Sequence, residues 1–163
     1  MINSTDSRLL ELPELTVLPQ WIDYNGHMNV AYYVLAFDQG VDAFMSFIGI
    51  TTNYINQRQA SVFTLEIHVN YIRELHLGDR LQLNCQLLDF DAKRVHYFLQ
   101  MHHAEEGYLA AVSEQIMVHV DLKTRRSSAF PNDVRLVLTS LMNSHRHLPR
   151  PEQSGSVIGI RRK

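Results

Sequence analysis

"DYNGHMNVAYYVLAFDQGVDAFMSFIG", residues 23–49, sets the architecture of this chain. Its first seven positions hold Asp23, Asn25, Gly26, His27 and Asn29, the makings of a tight polar loop. From there Tyr33, Phe37, Val41, Phe44 and Ile48 recur at three- or four-residue spacing, as on one helix face. Asn29 is a good N-cap, and Gly49 stands where helices commonly end in the left-handed conformation. The spacing predicts one long helix over 30–48. Gly40 in its middle costs about 1 kcal/mol relative to alanine, which is tolerable where a sheet wraps closely around the helix.

On either side the period changes. "LTVLPQWI" (15–22) reads as a strand, and 51–60 as a polar connection. Phe63, Leu65, Ile67, Val69 and Tyr71 then alternate with Thr64, Glu66, His68 and Asn70, a long strand with one buried face. Leu81, Leu83, Cys85 and Leu87 alternate next, as do Val95, Tyr97, Leu99 and Met101, and 108–121 makes the last long strand. Turns fall at "HLGDR" (76–80), "DFDAKR" (89–94) and "AEEGY" (104–108). "NDVRLVLTSLMN" (132–143) adds a short helix before a frayed tail. The pattern is α+β: one long central helix wrapped by a curved antiparallel sheet of five or six strands. Its opposite face, with Glu66, His68, Asn70, Gln82, Asn84 and Gln86, is expected to meet solvent or a polar partner. The divisions are an extension (1–14), the helix-and-sheet domain (15–125), and a C-terminal segment (126–163) ending in a disordered basic tail.

Composition narrows the function classes. Against 17 acidic side chains stand 15 basic ones, a balance that argues against nucleic acid and acidic membranes as partners. One cysteine, Cys85, allows no intrachain disulfide and no thiolate zinc site. No stretch is long and apolar enough to span a bilayer, and the first residues do not read as a leader, so the expectation is a cytoplasmic domain in which the Asn3 sequon carries no weight. There is no G-x-S-x-G elbow, no H-E-x-x-H and no phosphate-binding glycine motif. No metal site is expected.

A helix starting at Val30 leaves its first backbone N–H groups without intrahelical partners, a ready site for negative charge. Asp23 or Asn29 could simply cap them. Alternatively, a substrate carbonyl oxygen sits on the free N–H groups, and Asp23, not needed for capping, attacks the carbonyl or activates a water.

"D-x-x-G-H-M-N-x-x-Y" (23–32) before a long apolar helix, with "VNYIRELHLGD" (69–79), resembles the hotdog-fold thioesterases of the 4-hydroxybenzoyl-CoA thioesterase group. The likeness spans 15–125. More narrowly, "WIDYNGHMNVAYYVLAFD" (21–38), "TLEIHVNYIREL" (64–75) and "LLDFDAKRVHYF" (87–98) are similar to the betainyl-CoA thioesterases of bacterial carnitine breakdown, some fused to carnitine dehydrogenase. The resemblance implies that Asp23 is the catalytic carboxylate, as nucleophile or general base, and that the Val30 N–H polarises the thioester. It also implies a homodimer or homotetramer whose neighbour completes each site, and no cofactor beyond the coenzyme A of the substrate. Carnitine dehydrogenase becomes a candidate functional partner. In one departure, Val30 replaces a second asparagine found in many relatives.

Asn29 and His27 complete the candidate catalytic set; orienting the loop is the expected role of His27, ahead of proton transfer. Tyr24, Tyr32, Tyr33, Asp38 and Phe63 are the candidate substrate-binding residues. Trp21, Phe37, Tyr54 and Tyr71 add to the aromatics near the loop in sequence, most of them expected in the core. A trimethylammonium acyl group needs such aromatic faces, and Asp38 or Asp42 could complement its charge. Asp38 and Asp42, four apart on the helix, also read as solvated face residues, and Glu66 with His68 as an outward pair. Arg73, Arg80, Lys93 and Arg94 are candidates for holding coenzyme A. Two rival functions are an acyl-thioester hydratase or dehydratase using His27, and a non-catalytic acyl-CoA binder or dehydrogenase partner.

Overall fold

The computed structural model describes residues 8–160 and 162. The chain enters through two short strands, β1 (Leu10–Glu11) and β2 (Leu15–Thr16), with a 3-10 turn at Pro19–Trp21. The helix α1 (Val30–Phe47) follows, then α2 (Thr52–Arg58) and the long strands β3 (Ala60–Tyr71), β4 (Arg80–Phe90), β5 (Arg94–His103) and β6 (Leu109–Asp121). A two-residue strand β7 (Arg126–Ser127) and the helix α3 (Asn132–His145) complete the order. Among the described residues all strands belong to one antiparallel sheet of seven, with β1, β4, β5, β6 and β3 side by side in that order; β2 also pairs with β4, and β7 with β6.

The helix packs as its spacing predicts. Tyr33, Phe37, Val41 and Phe44 are buried on one face, and Phe44 meets Tyr97 of β5 with ring centroids 5.1 Å apart. A Cβ on Gly40 would lie 2.8 Å from Leu83 Cδ1, so the glycine lets β4 approach the helix. Against the helix lie Leu81, Leu83, Cys85 and Leu87 of β4, and Val95, Tyr97, Leu99 and Met101 of β5.

Several expectations need correction. The strand expected over 15–22 stops at Thr16, because the chain turns at Pro19. Part of the supposed extension belongs to the sheet, since Leu10 pairs with Cys85. The connection 51–60 contains α2, whose first turn is capped by Thr51 Oγ1 accepting the Tyr54 N–H at 3.2 Å.

The largest correction concerns β3. Its register against β6 shifts between Thr64 and Glu66, leaving Leu65 as a bulge. Opposite residues of an antiparallel pair share a face. Ile67, Val69 and Tyr71 therefore join Gln115, Ser113 and Ala111 on the helix side, whereas Phe63, opposite Val118, points outward. There the Arg125 guanidinium lies 5.2 Å from the Phe63 ring centroid. The five alternating residues do not form one buried face: Phe63, Leu65, Ile67 and Tyr71 are exposed in the single chain.

The outer sheet face is not left open either. Residues 149–160 cross it as a strap. Gln86 Nε2 donates to the Pro149 carbonyl at 3.3 Å, while Glu114 accepts the Ser154 hydroxyl at 2.9 Å and the Gly155 N–H at 2.6 Å. His96 Nε2 reaches the same carboxylate at 2.8 Å. The C-terminal segment is thus an ordered helix and strap through residue 160. Residues 161 and 163 of the expected basic tail, and Asn3, lie outside the described residues.

Candidate active site

The loop before α1 is tied down at nearly every peptide. The Gly26 N–H donates to the Asp23 carbonyl (3.0 Å) and the Asp23 N–H to that of His27 (3.1 Å), closing a turn in which Gly26 takes φ of +80°. Met28 is fully buried, and its N–H donates to Leu75 (2.8 Å); the Asn29 N–H donates to Trp21 (2.9 Å). Ile22 and Met28 form a bridge across the loop's base.

This frame fixes the half-buried Asp23 carboxylate from two sides. Oδ1 accepts the Asn25 N–H at 2.8 Å, and Oδ2 accepts Asn29 Nδ2 at 3.3 Å. The other end of the Asn29 amide, Oδ1, accepts the Ala31 N–H at 3.0 Å and caps the helix. One side chain thus fastens the carboxylate to the helix start. Among the described residues the Val30 N–H, next to this cap, meets no acceptor, and Val30 is exposed. A carbonyl oxygen placed there receives a hydrogen bond and the positive end of the helix dipole, next to the residue, Asn29, that holds the Asp23 carboxylate. His27 Nδ1 donates to the Met28 carbonyl at 3.1 Å, so in the neutral ring Nε2 is the basic nitrogen.

The other candidates divide. Tyr24, on the loop tip, is 96% exposed. Tyr32 stacks on Trp21 with centroids 5.8 Å apart. Tyr33 is buried, which pushes its hydroxyl up to about 12, and its ring meets Tyr71 edge-on at 5.3 Å. Asp38 lies eight residues beyond Val30 on α1, about 12 Å along the axis. With Asp42 it borders a separate cleft of about 340 Å³ between α1 and β3; partial burial and the Asp42 charge raise its pKa. Phe63 is on the outer face, eight positions from Tyr71 along β3. Neither Asp38 nor Phe63 shares the Asp23 site within one chain. Of the candidates for holding coenzyme A, Arg73 pairs with Glu106 (3.6 Å), Arg80 with Glu14 (3.4 Å) and Glu105 (3.3 Å), and Arg94 with Asp91, all on the surface.

Sequence reasoning missed the Asn25 amide, although an aspartate two residues ahead of a backbone N–H is the signal of an Asx turn. It also left the Tyr71 hydroxyl unassigned. That group donates to the Val30 carbonyl at 3.3 Å, a long-range contact without a local signal.

Comparisons with known proteins bear on the fold and the family. Residues 17–138 match the family described as the thioesterase-like superfamily. A betainyl-CoA thioesterase from Pseudomonas aeruginosa is 40% identical over 154 residues, 94% of this chain and 97% of that protein. An L-carnitine dehydrogenase/betainyl-CoA thioesterase from Rhizobium meliloti is 35% identical over 94% of this chain, which spans 31% of that longer protein. Among solved structures, a Staphylococcus aureus protein in complex with CoA superposes with a TM-score of 0.90 at 33% identity, covering 98% of this chain and 99% of the other.

Proposed function

We propose that this chain, which belongs to the thioesterase-like superfamily and is a hotdog-fold acyl-CoA thioesterase, hydrolyses betainyl-CoA to glycine betaine and coenzyme A. The observation that carries the mechanism is the double use of Asn29, which holds the Asp23 carboxylate beside the unpartnered Val30 N–H. The name and near-complete overlap of the Pseudomonas relative support the acyl group.

In the proposed reaction the thioester oxygen accepts the Val30 N–H, and charge building on it in the tetrahedral transition state is met by the helix start. Asp23 supplies the attack. It acts as nucleophile, giving a mixed anhydride that water then opens, or as base toward a water that attacks directly. Either route breaks the carbon–sulfur bond, releases the thiol of coenzyme A and leaves a free carboxylate. Asn29 and His27 hold the loop.

The working unit we propose is a homo-oligomer. Among the described residues, Ile67 in the edge strand β3 and Ile72 just past its end, with Val34 and Leu35 on α1, leave an exposed apolar border beside the site, suited to a second copy. An L-carnitine dehydrogenase is the proposed functional partner, because in the Rhizobium relative the two activities are named for one chain.

Thiol release from cationic, aromatic and fatty acyl-CoA esters tests the substrate. Betainyl-CoA should give the highest kcat/KM; an aromatic or fatty ester that outpaces it refutes the assignment.

A further inference from the structure

In a betainyl thioester one methylene separates the quaternary nitrogen from the carbonyl carbon, so the positive charge lies about 2.5 Å from the reacting atom. A residue that reads this charge must therefore stand close to the Val30 N–H. Backbone N–H groups at a helix start point away from the helix body. A carbonyl oxygen accepting from Val30, at about 2.9 Å, thus lies beyond the first turn and not alongside the second or third. Asp38 of the same chain, about 12 Å down the axis, is out of contact range. Phe63, about 26 Å along β3 from Tyr71 and on the other sheet face, is farther still.

The aromatic rings near the helix start differ in what they have free. Trp21 and Tyr32 stack on each other, and Trp21 is buried. Tyr33 is buried as well. Tyr24 projects from the loop tip into solvent. Tyr71 is both fixed and accessible. It faces the helix side of the sheet, its hydroxyl is tied to the Val30 carbonyl at 3.3 Å, its ring is braced by Tyr33, and 48% of its surface is exposed. The nitrogen and oxygen of Val30 are joined by three bonds totalling about 4 Å. Summed through Val30, the Tyr71 hydroxyl therefore lies no more than about 10 Å from the substrate carbonyl oxygen, so the ring borders the space into which the acyl group extends.

Resting on the betainyl-CoA reading, we propose that Tyr71 is the specificity residue whose ring face binds the trimethylammonium group of the acyl chain. Edge-on packing against Tyr33 holds the ring, and the cation is attracted to its negative face.

The experiment compares kcat/KM for betainyl-CoA and for 3,3-dimethylbutanoyl-CoA, its neutral isostere with carbon in place of nitrogen. The wild-type enzyme should favour the cationic ester. Tyr71→Phe keeps the ring and should keep that preference, even where loss of the Val30 hydrogen bond slows both esters. Tyr71→Leu and the strand-compatible Tyr71→Thr remove the ring and should cut the preference about tenfold, with the neutral ester the less affected. A preference that survives both ring-less variants, or one that already collapses in Tyr71→Phe, overturns the proposal while leaving the substrate assignment intact. A wild-type enzyme without any preference for the charge overturns both.

Discussion

An asparagine side chain carries one acceptor and two donors on a rigid amide, and at position 29 both ends are used. The oxygen caps α1 at Ala31 while the nitrogen holds Asp23. Aspartate caps helices about as well but has no hydrogen to give a carboxylate. Asn29→Asp should therefore keep the helix cap and the helical circular-dichroism signal while lowering thiol release roughly a hundredfold or more, because two carboxylates then face each other. Val30 allows a second separation of structure from chemistry. Proline is well accepted at the first helical position, where its missing N–H satisfies nothing, and Asn29 already has the extended backbone (φ −68°, ψ 145°) that a following proline prefers. Val30→Pro should fold, as judged by circular dichroism, yet lose roughly 10²–10³ in kcat for want of the donor to the developing oxyanion.

Among the elements, α1 was legible because its apolar residues keep a helical period through three independent signals: the cap, the stripe and the terminal glycine. Gly40 was legible as a place of close approach, and the contact with Leu83 identifies what approaches. Gly40→Val should destabilise the protein by about 2 kcal/mol through overpacking against β4, read as a lower urea midpoint with an unchanged slope. The inner face of β3 was misread for a definite reason. A bulge inserts one residue and reverses the side-chain parity beyond it, but Phe63, Leu65 and Ile67 still alternate as letters, so nothing local announces it. The helix α2 has only seven residues, too few to display a period, and only Thr51 marks its start.

Long-range hydrogen bonds hold the whole molecule together where a sequence gives little warning. The strap hangs on Glu114, forty residues from Ser154, and α3 docks through His145. His145 Nδ1 accepts the Leu87 N–H at 2.9 Å and Nε2 donates to the Arg8 carbonyl at 3.1 Å, leaving no ring lone pair for a proton. His119 likewise accepts the Tyr54 hydroxyl at Nε2 (2.7 Å) and reaches the Ser128 carbonyl through Nδ1 (3.1 Å). Burial pushes both imidazoles below their ordinary value. The unfolded chain takes up these protons near pH 6.5, whereas the folded one resists until lower pH. Between those limits the unfolded state binds more protons, so stability is full above about pH 6.5 and declines as the pH falls. Urea midpoints at pH 7.5 and 5.5 should show that loss, and His145→Gln should reduce it.

The account as a whole depends on the Asp23 carboxylate performing the attack beside the helix start. The most direct measurement is thiol release from betainyl-CoA by Asp23→Asn, paired with calorimetric binding of the same ester. Turnover should fall roughly a thousandfold or more with ester affinity held within a few-fold. An Asp23→Asn enzyme that releases thiol at close to the wild-type rate contradicts the account.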